Sequence, residues 1–265
     1  MTEIAQQTAG TAQSRPPGIA AFDTVYDRMI LNRSFVEYRG YYVQARGRYR
    51  KTAALVGTLR LQPGARHLDI GGGQMALLCR DLFGFHPVVG DVVERAARDV
   101  VEQGAAFQKF DLLDDRYEAD APYDLITLLE VIEHIPHPPY ITFAKLAHIL
   151  KPGGWLVLTT PNGFRIRNVL RMLANREVLD IYRYPEEGQP LGHQHEYTVR
   201  QMDWQLRHAR FAPQVCRTYV TGWRGASPAA RFAHLATVPF NLAPHLRDGL
   251  MAAAKAPESV SNATN

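Results

Sequence analysis

The chain has 265 residues, 46% of them hydrophobic, enough to bury one sizeable core. Thirty lysines and arginines against 26 acids give a net charge of +4, which permits contact with an anionic partner but lacks the strongly basic stripe of a nucleic-acid binder. Two cysteines, Cys79 and Cys216, are too few for a disulfide framework, no run of eighteen apolar residues occurs and no signal-peptide pattern opens the chain, so a cytoplasmic location is expected.

In chain order, residues 1–20 are rich in Ala, Gln, Thr and Pro and read as a disordered tail, as do residues 257–265. Residues 21–60 read as N-terminal cap helices over a ligand pocket; within them Tyr38, Tyr41, Tyr42 and Tyr49 suit packing more than recognition. From residue 61 to 256 apolar runs alternate with helical segments, the mark of an α/β doubly wound, Rossmann-like sheet. The strands fall at Arg66–Ile70, Pro87–Gly90, Ala106–Phe110, Tyr123–Leu129, Trp155–Thr160 and Pro213–Val220, and a last one at Leu250–Lys255 returns antiparallel, making seven. Helices fill Gln74–Phe83, Val92–Gln103 and Pro139–Leu150, and Thr198 with Gln201 forms a capping box ahead of another. Two lid insertions interrupt the alternation, near 163–197 and 223–245. In the first, Ile166, Val169, Leu170 and Leu173 form a helical stripe ringed by Arg165, Arg167, Arg171 and Arg176, which suits a solvated face, an anionic acceptor, a peripheral membrane contact or RNA.

The first strand runs into Gly71, Gly72 and Gly73, a strand-to-helix turn whose backbone approaches a ligand closely. Gly71, Gly73 and Ala76 also satisfy the spacing of a dinucleotide site. Asp69 beside the turn repels a pyrophosphate and favours the ammonium of an aminoacyl ligand such as S-adenosylmethionine. Asp91, about twenty residues on, is placed to accept both hydroxyls of a ribose. Asp111 can accept from an adenine amino group.

These residues resemble the class I S-adenosylmethionine-dependent methyltransferases from roughly Arg39 onward. Asp69-x-Gly71-x-Gly73 is similar to that family's first motif, Asp91 to its ribose-binding acid and Phe110-Asp111-Leu112 to its adenine-binding step; Met75 departs from the small residue common there. Leu129-Glu130-Val131-Ile132-Glu133-His134 resembles the motif of the branch holding ubiquinone-type O-methyltransferases. The resemblance implies cofactor binding by Asp69, Gly71, Gly72, Gly73, Asp91, Asp111, Leu112 and Glu130. Glu130, Glu133 and His134 stand at i, i+3 and i+4, so a helical turn after the strand would point all three into one cleft. With His195 or His193 they are similar to the divalent-metal quartet of small-RNA 2′-O-methyltransferases; in the metal-free members of the resembled branch Glu130 would face the methionyl part of the cofactor, Glu133 would be structural and His134 an unassisted base or a cleft-lining group. Glu133, His134 and His195 are thus expected to serve deprotonation or metal binding. The expectation is methylation of a small-molecule oxygen, in a sugar, phenol or secondary-metabolite intermediate. RNA 2′-O-methylation and a non-catalytic cofactor binder stand as rivals, and a dehydrogenase shares the glycine spacing.

Overall fold

A computed structural model describes residues 13–33, 39–92, 94–179, 192–221 and 238–258; side chains are described in those ranges apart from 94–97. Seven strands, β1 Arg66–Ile70, β2 His86–Asp91, β3 Ala106–Lys109, β4 Tyr123–Leu129, β5 Leu150–Pro161, β6 Ala212–Tyr219 and β7 Gly249–Lys255, form one sheet in the order β3-β2-β1-β4-β5-β7-β6. The four pairings among β1 to β5 are parallel, whereas β7 lies antiparallel between β5 and β6. The expected seven-stranded Rossmann-like sheet with an antiparallel last strand is therefore present.

Side-chain alternation divides the core in two. Leu68 and Ile70 of β1, Ile126 and Leu128 of β4, Leu156 and Leu158 of β5 and Leu250, Ala252 and Ala254 of β7 face α5 (Pro139–Ile149) and α7 (Val199–His208). Leu125 and Leu129, Val157, Met251 and Ala253 face α1 (Ile19–Tyr26), α2 (Arg39–Thr58) and α3 (Gln74–Phe83). Strands this apolar on both faces are what a sheet covered by helices on both sides requires. The remaining helices are α4 (Glu94–Val101), beside β2 and β3, and α6 (Ile166–Leu173).

Local signals explain several ends. Gly73 and Gly84 bracket α3 with left-handed backbones at φ 79° and 72°. The capping box of α7 forms as read: Gln201 N–H donates to Thr198 Oγ1, and Thr198 N–H donates to Gln201 Oε1.

Two expectations need correction. The chain is ordered well before residue 20: Ser14 is buried, its N–H donates to Leu61 O at 2.8 Å, and Pro16 lies where a Cβ on Gly57 would clash at 2.5 Å. α6 forms, and its apolar stripe is covered at one end only: Ile166 is buried, whereas Leu170 is 47% and Leu173 81% exposed. Arg165, read with its ring of arginines, is instead buried and paired with Glu196. Tyr38 and much of both lid insertions, residues 180–191 and 222–237, fall outside the described residues, as does the tail from 259.

Candidate active site

The strand order reverses direction between β1 and β4, so the loops leaving these two strands part and open a crevice at their carboxyl ends. A cavity of about 500 Å³ occupies it. Gly71 and Gly72 border it from the β1 turn, Asp91 from the tip of β2, Glu130, Glu133 and His134 from beyond β4, and Pro161 from the end of β5. α2 closes the cavity from above with Tyr41, Tyr42, Arg48 and Tyr49, and the first insertion adds Arg165 and His193.

The glycine turn is held from below. Asp69 is buried; its Oδ2 accepts from the Met75 N–H at 2.9 Å and its Oδ1 from the Thr127 hydroxyl at 2.5 Å. Burial raises its carboxyl to about 6, against the lowering effect of Thr127 and the N–H groups of Met75, Ala76 and Gly73. Asp69 thus borders the cavity while both its oxygens have donors within the protein. Gln74, at the start of α3, donates to the Tyr42 hydroxyl at 3.1 Å and ties α2 to the turn.

Glu130 ends β4 with φ 59°, a left-handed backbone unusual for a residue with a side chain and frequent at functional sites. Its carboxylate lies 3.3 Å from the Arg48 guanidinium and accepts from Thr159 Oγ1 at 3.0 Å. Buried Arg48 also donates to the Tyr41 hydroxyl at 2.6 Å. After Glu130 a tight 3-10 turn, Ile132–His134, carries Glu133 and His134 inward, so all three residues reach the cavity as their spacing predicts. Glu133 is fully buried: Oε2 accepts from Thr160 Oγ1 at 2.9 Å, and Oε1 has no hydrogen-bond partner. Burial first, then repulsion from Glu130, pushes its carboxyl up to about 8.

The histidine that joins Glu133 and His134 is His193. One ligand atom from each of the three lies within 4.8 Å of the others, and the His134 and His193 rings meet edge to face at 4.8 Å. His195, expected there, is exposed and tilts onto Tyr197 at 4.6 Å. The cause lies in the backbone: the Gln194 and His195 N–H groups both donate to Glu133 O, so the chain bends around that carbonyl and sends the two imidazoles different ways. His193 Nδ1 lies 3.3 Å from Glu196 Oε1. Glu196 is held ionised: burial raises its carboxyl, but His193, Arg165 and Asn168 outweigh burial and bring it below its ordinary value. An ionised acceptor at Nδ1 fixes the proton there and leaves the His193 Nε2 lone pair open.

Two further expectations are corrected. Glu130 stands outside the three-residue cluster, its charge matched by Arg48. Asp111 and Leu112 do not line the cavity; Asp111 Oδ1 accepts from the Leu113 N–H at 2.8 Å in a local turn and borders a separate depression beyond β3. Sequence reasoning missed Arg48, Gln74 and Arg165 as site residues. The tyrosine- and arginine-rich composition ahead of β1 was the one signal pointing to Arg48.

A family model described as a methyltransferase domain matches residues 38–214. The chain belongs to that family, and its fold is that of the class I S-adenosylmethionine-dependent methyltransferases. It is 31% identical over 157 residues to a ubiquinone biosynthesis O-methyltransferase of Xylella fastidiosa, covering 55% of this chain and 60% of that protein. It is 32% identical over 108 residues to the protein of the same name from Burkholderia thailandensis, covering 38% and 46%. The chain thus spans about three fifths or less of these relatives. Among solved structures it is similar in fold to an S-adenosylmethionine dependent methyltransferase from Mesorhizobium loti, with TM-score 0.50 and 16% identity over 72% of this chain and 91% of that one.

The cavity lining fits the donor. Gly71 and Gly72 bare their backbone to it and Asp91 stands at the β2 tip where a ribose acid is required. No helix of the described residues is long and apolar enough to cross a membrane.

Proposed function

We propose that this methyltransferase acts on a hydroxyl oxygen of a small molecule, seated between the glycine turn and the cluster of Glu133, His134 and His193. The observation carrying this reading is the Glu133 Oε1 atom, buried, without a partner and beside two imidazoles in the donor's own cavity. A nitrogen nucleophile presents a lone pair directly, whereas a hydroxyl must lose a proton as it attacks, and this is where a proton acceptor or a cation is needed. The name carried by the Xylella and Burkholderia relatives agrees.

The donor supplies an electrophilic methyl group on a sulfonium. The protein holds the acceptor in line with it, and proximity supplies much of the rate. Tyr41, Tyr42 and Tyr49 form an aromatic roof for an apolar or ring-bearing acceptor. The open Nε2 of His193, oriented by Glu196, takes up the hydroxyl proton. One carboxylate with two imidazoles also fits a borderline divalent ion such as manganese or iron(II), which would lower the pKa of a hydroxyl bound to it.

The test incubates the protein with methyl-labelled donor and a panel of phenols, sugars and RNA ends. An O-methylated small molecule is expected, with turnover at least tenfold lower for His193→Ala and His134→Ala, near wild type for His195→Ala, and S-adenosylhomocysteine affinity unchanged throughout. Label appearing only on nitrogen, or only on RNA, would refute the reading. A chelator that abolishes turnover, restored by manganese or iron(II), assigns the cluster to a metal; indifference to chelator leaves the imidazoles to act alone.

A further inference from the structure

On the opposite side of α2 from the methyl-transfer cavity, a second groove of about 660 Å³ opens between that helix and the β6 edge of the sheet. Lys51, Arg217 and Arg247 line it, and no carboxylate among the described residues does. Arg247 spends its Nε–H on Asn241 O, while Lys51 and Arg217 make no ion pair among the described residues. Nearby Arg50 is matched by Asp23, 4.0 Å away. Burial, and then the repulsion of Arg50, Arg247 and Arg217, hold the Lys51 ammonium below its ordinary value.

Gathering like charges without a counter-charge costs folding free energy, and a multivalent anion is what relieves that cost. Between the cations the walls are apolar, with Leu55, Val215 and Met251 contributing. We propose that this groove binds a phosphate-bearing ligand with an attached apolar part, its phosphate held by Lys51, Arg217 and Arg247. Three cations match a dianionic phosphate or a diphosphate better than a lone carboxylate, and an open groove of this size suits a small ligand rather than an extended polyanion. The site goes beyond the methyl-transfer reading and stands or falls apart from it.

The experiment uses the full chain saturated with S-adenosylhomocysteine. It is titrated with inorganic pyrophosphate and, separately, with phosphatidylcholine vesicles with and without phosphatidic acid. Pyrophosphate binding is expected, weakened at least tenfold in the Lys51→Gln/Arg217→Gln double variant while S-adenosylhomocysteine affinity stays the same. A second readout guards against misfolding: without anion the double variant should melt at or above the wild-type temperature, because the repulsion is gone, whereas pyrophosphate should raise the melting temperature of the wild type alone. Vesicle binding that depends on phosphatidic acid and is lost in the variant assigns the phosphate to a lipid headgroup; pyrophosphate binding without it assigns a soluble phosphate ester. Binding of neither probe, or equal binding by wild type and variant, overturns the proposal.

Discussion

Thr127 has one proton to donate, and Asp69 receives it at 2.5 Å. His67 Nε2, 2.8 Å from the same hydroxyl oxygen, must therefore carry its own proton and donate, which leaves the Nδ1 lone pair buried with no partner. Burial drops the imidazole from 6.5 to about 3. Between those values the unfolded chain binds a proton the folded chain refuses, so His67 withdraws stability as pH falls from 6.5. Asp69 works the other way: it moves from 3.8 to about 6 on folding, so its contribution fades as pH rises across that range. His67→Gln keeps an N–H for Thr127 and removes only the histidine's titration. Relative to wild type the variant should gain roughly 2–3 kcal/mol at pH 4.5 over its difference at pH 7, read from urea unfolding at both values. Equal differences at the two pH values would show that His67 is not held neutral.

At the scale of elements, the glycine turn joins fold and function. Gly73 has φ 79°, and a Cβ there would stand 2.7 Å from both Val89 and Val100. Gly73→Ala should cost at least about 2 kcal/mol, a fall of roughly 4–8 °C in melting temperature, and weaken S-adenosylhomocysteine binding with it. A stable variant with intact binding would mean the β1–α3 turn is not the rigid support described here. This turn was legible in the sequence because its chemistry is local: β1, α3 and β4 begin and end where their apolar runs and glycines place them. The capping box of α7 was legible for the same reason. What spacing cannot reveal is a choice made by a distant contact. His193 rather than His195 reaches Glu133 because backbone hydrogen bonds bend the chain there, and no i, i+n rule records that. The α6 stripe follows a true helical period, yet period tells only which residues share a face, not whether another surface covers it. Arg48 was hidden because its partner Glu130 lies on the far side of four strands in sequence.

For the whole molecule, β7 is the member on which the second half of the sheet depends. It comes last in sequence among the described strands, yet it sits inside the sheet, and among the described residues β6 pairs with no other strand. Its run Met251-Ala252-Ala253-Ala254 is fully buried, with small side chains facing both helical layers. Ala253 lies level with Val157 on β5 and Val215 on β6, on the face that carries α2. That helix rests on β5 and supplies Tyr42, Arg48 and Tyr49 to the active-site cavity. Ala253→Leu adds three carbons to this close-packed layer, which should cost about 1–3 kcal/mol. Because interiors transmit strain rather than absorb it, α2 should move with the new side chain and carry the aromatic roof out of place. The expected result is a lower melting temperature together with a several-fold fall in methyl transfer at saturating donor, measured on one preparation. Ala254→Leu, on the opposite face beneath α5 and α7, should lower stability to a similar degree and leave turnover per folded molecule unchanged. If both variants lose turnover alike, the sheet itself deforms and α2 is not the route by which the core sets the geometry of the site.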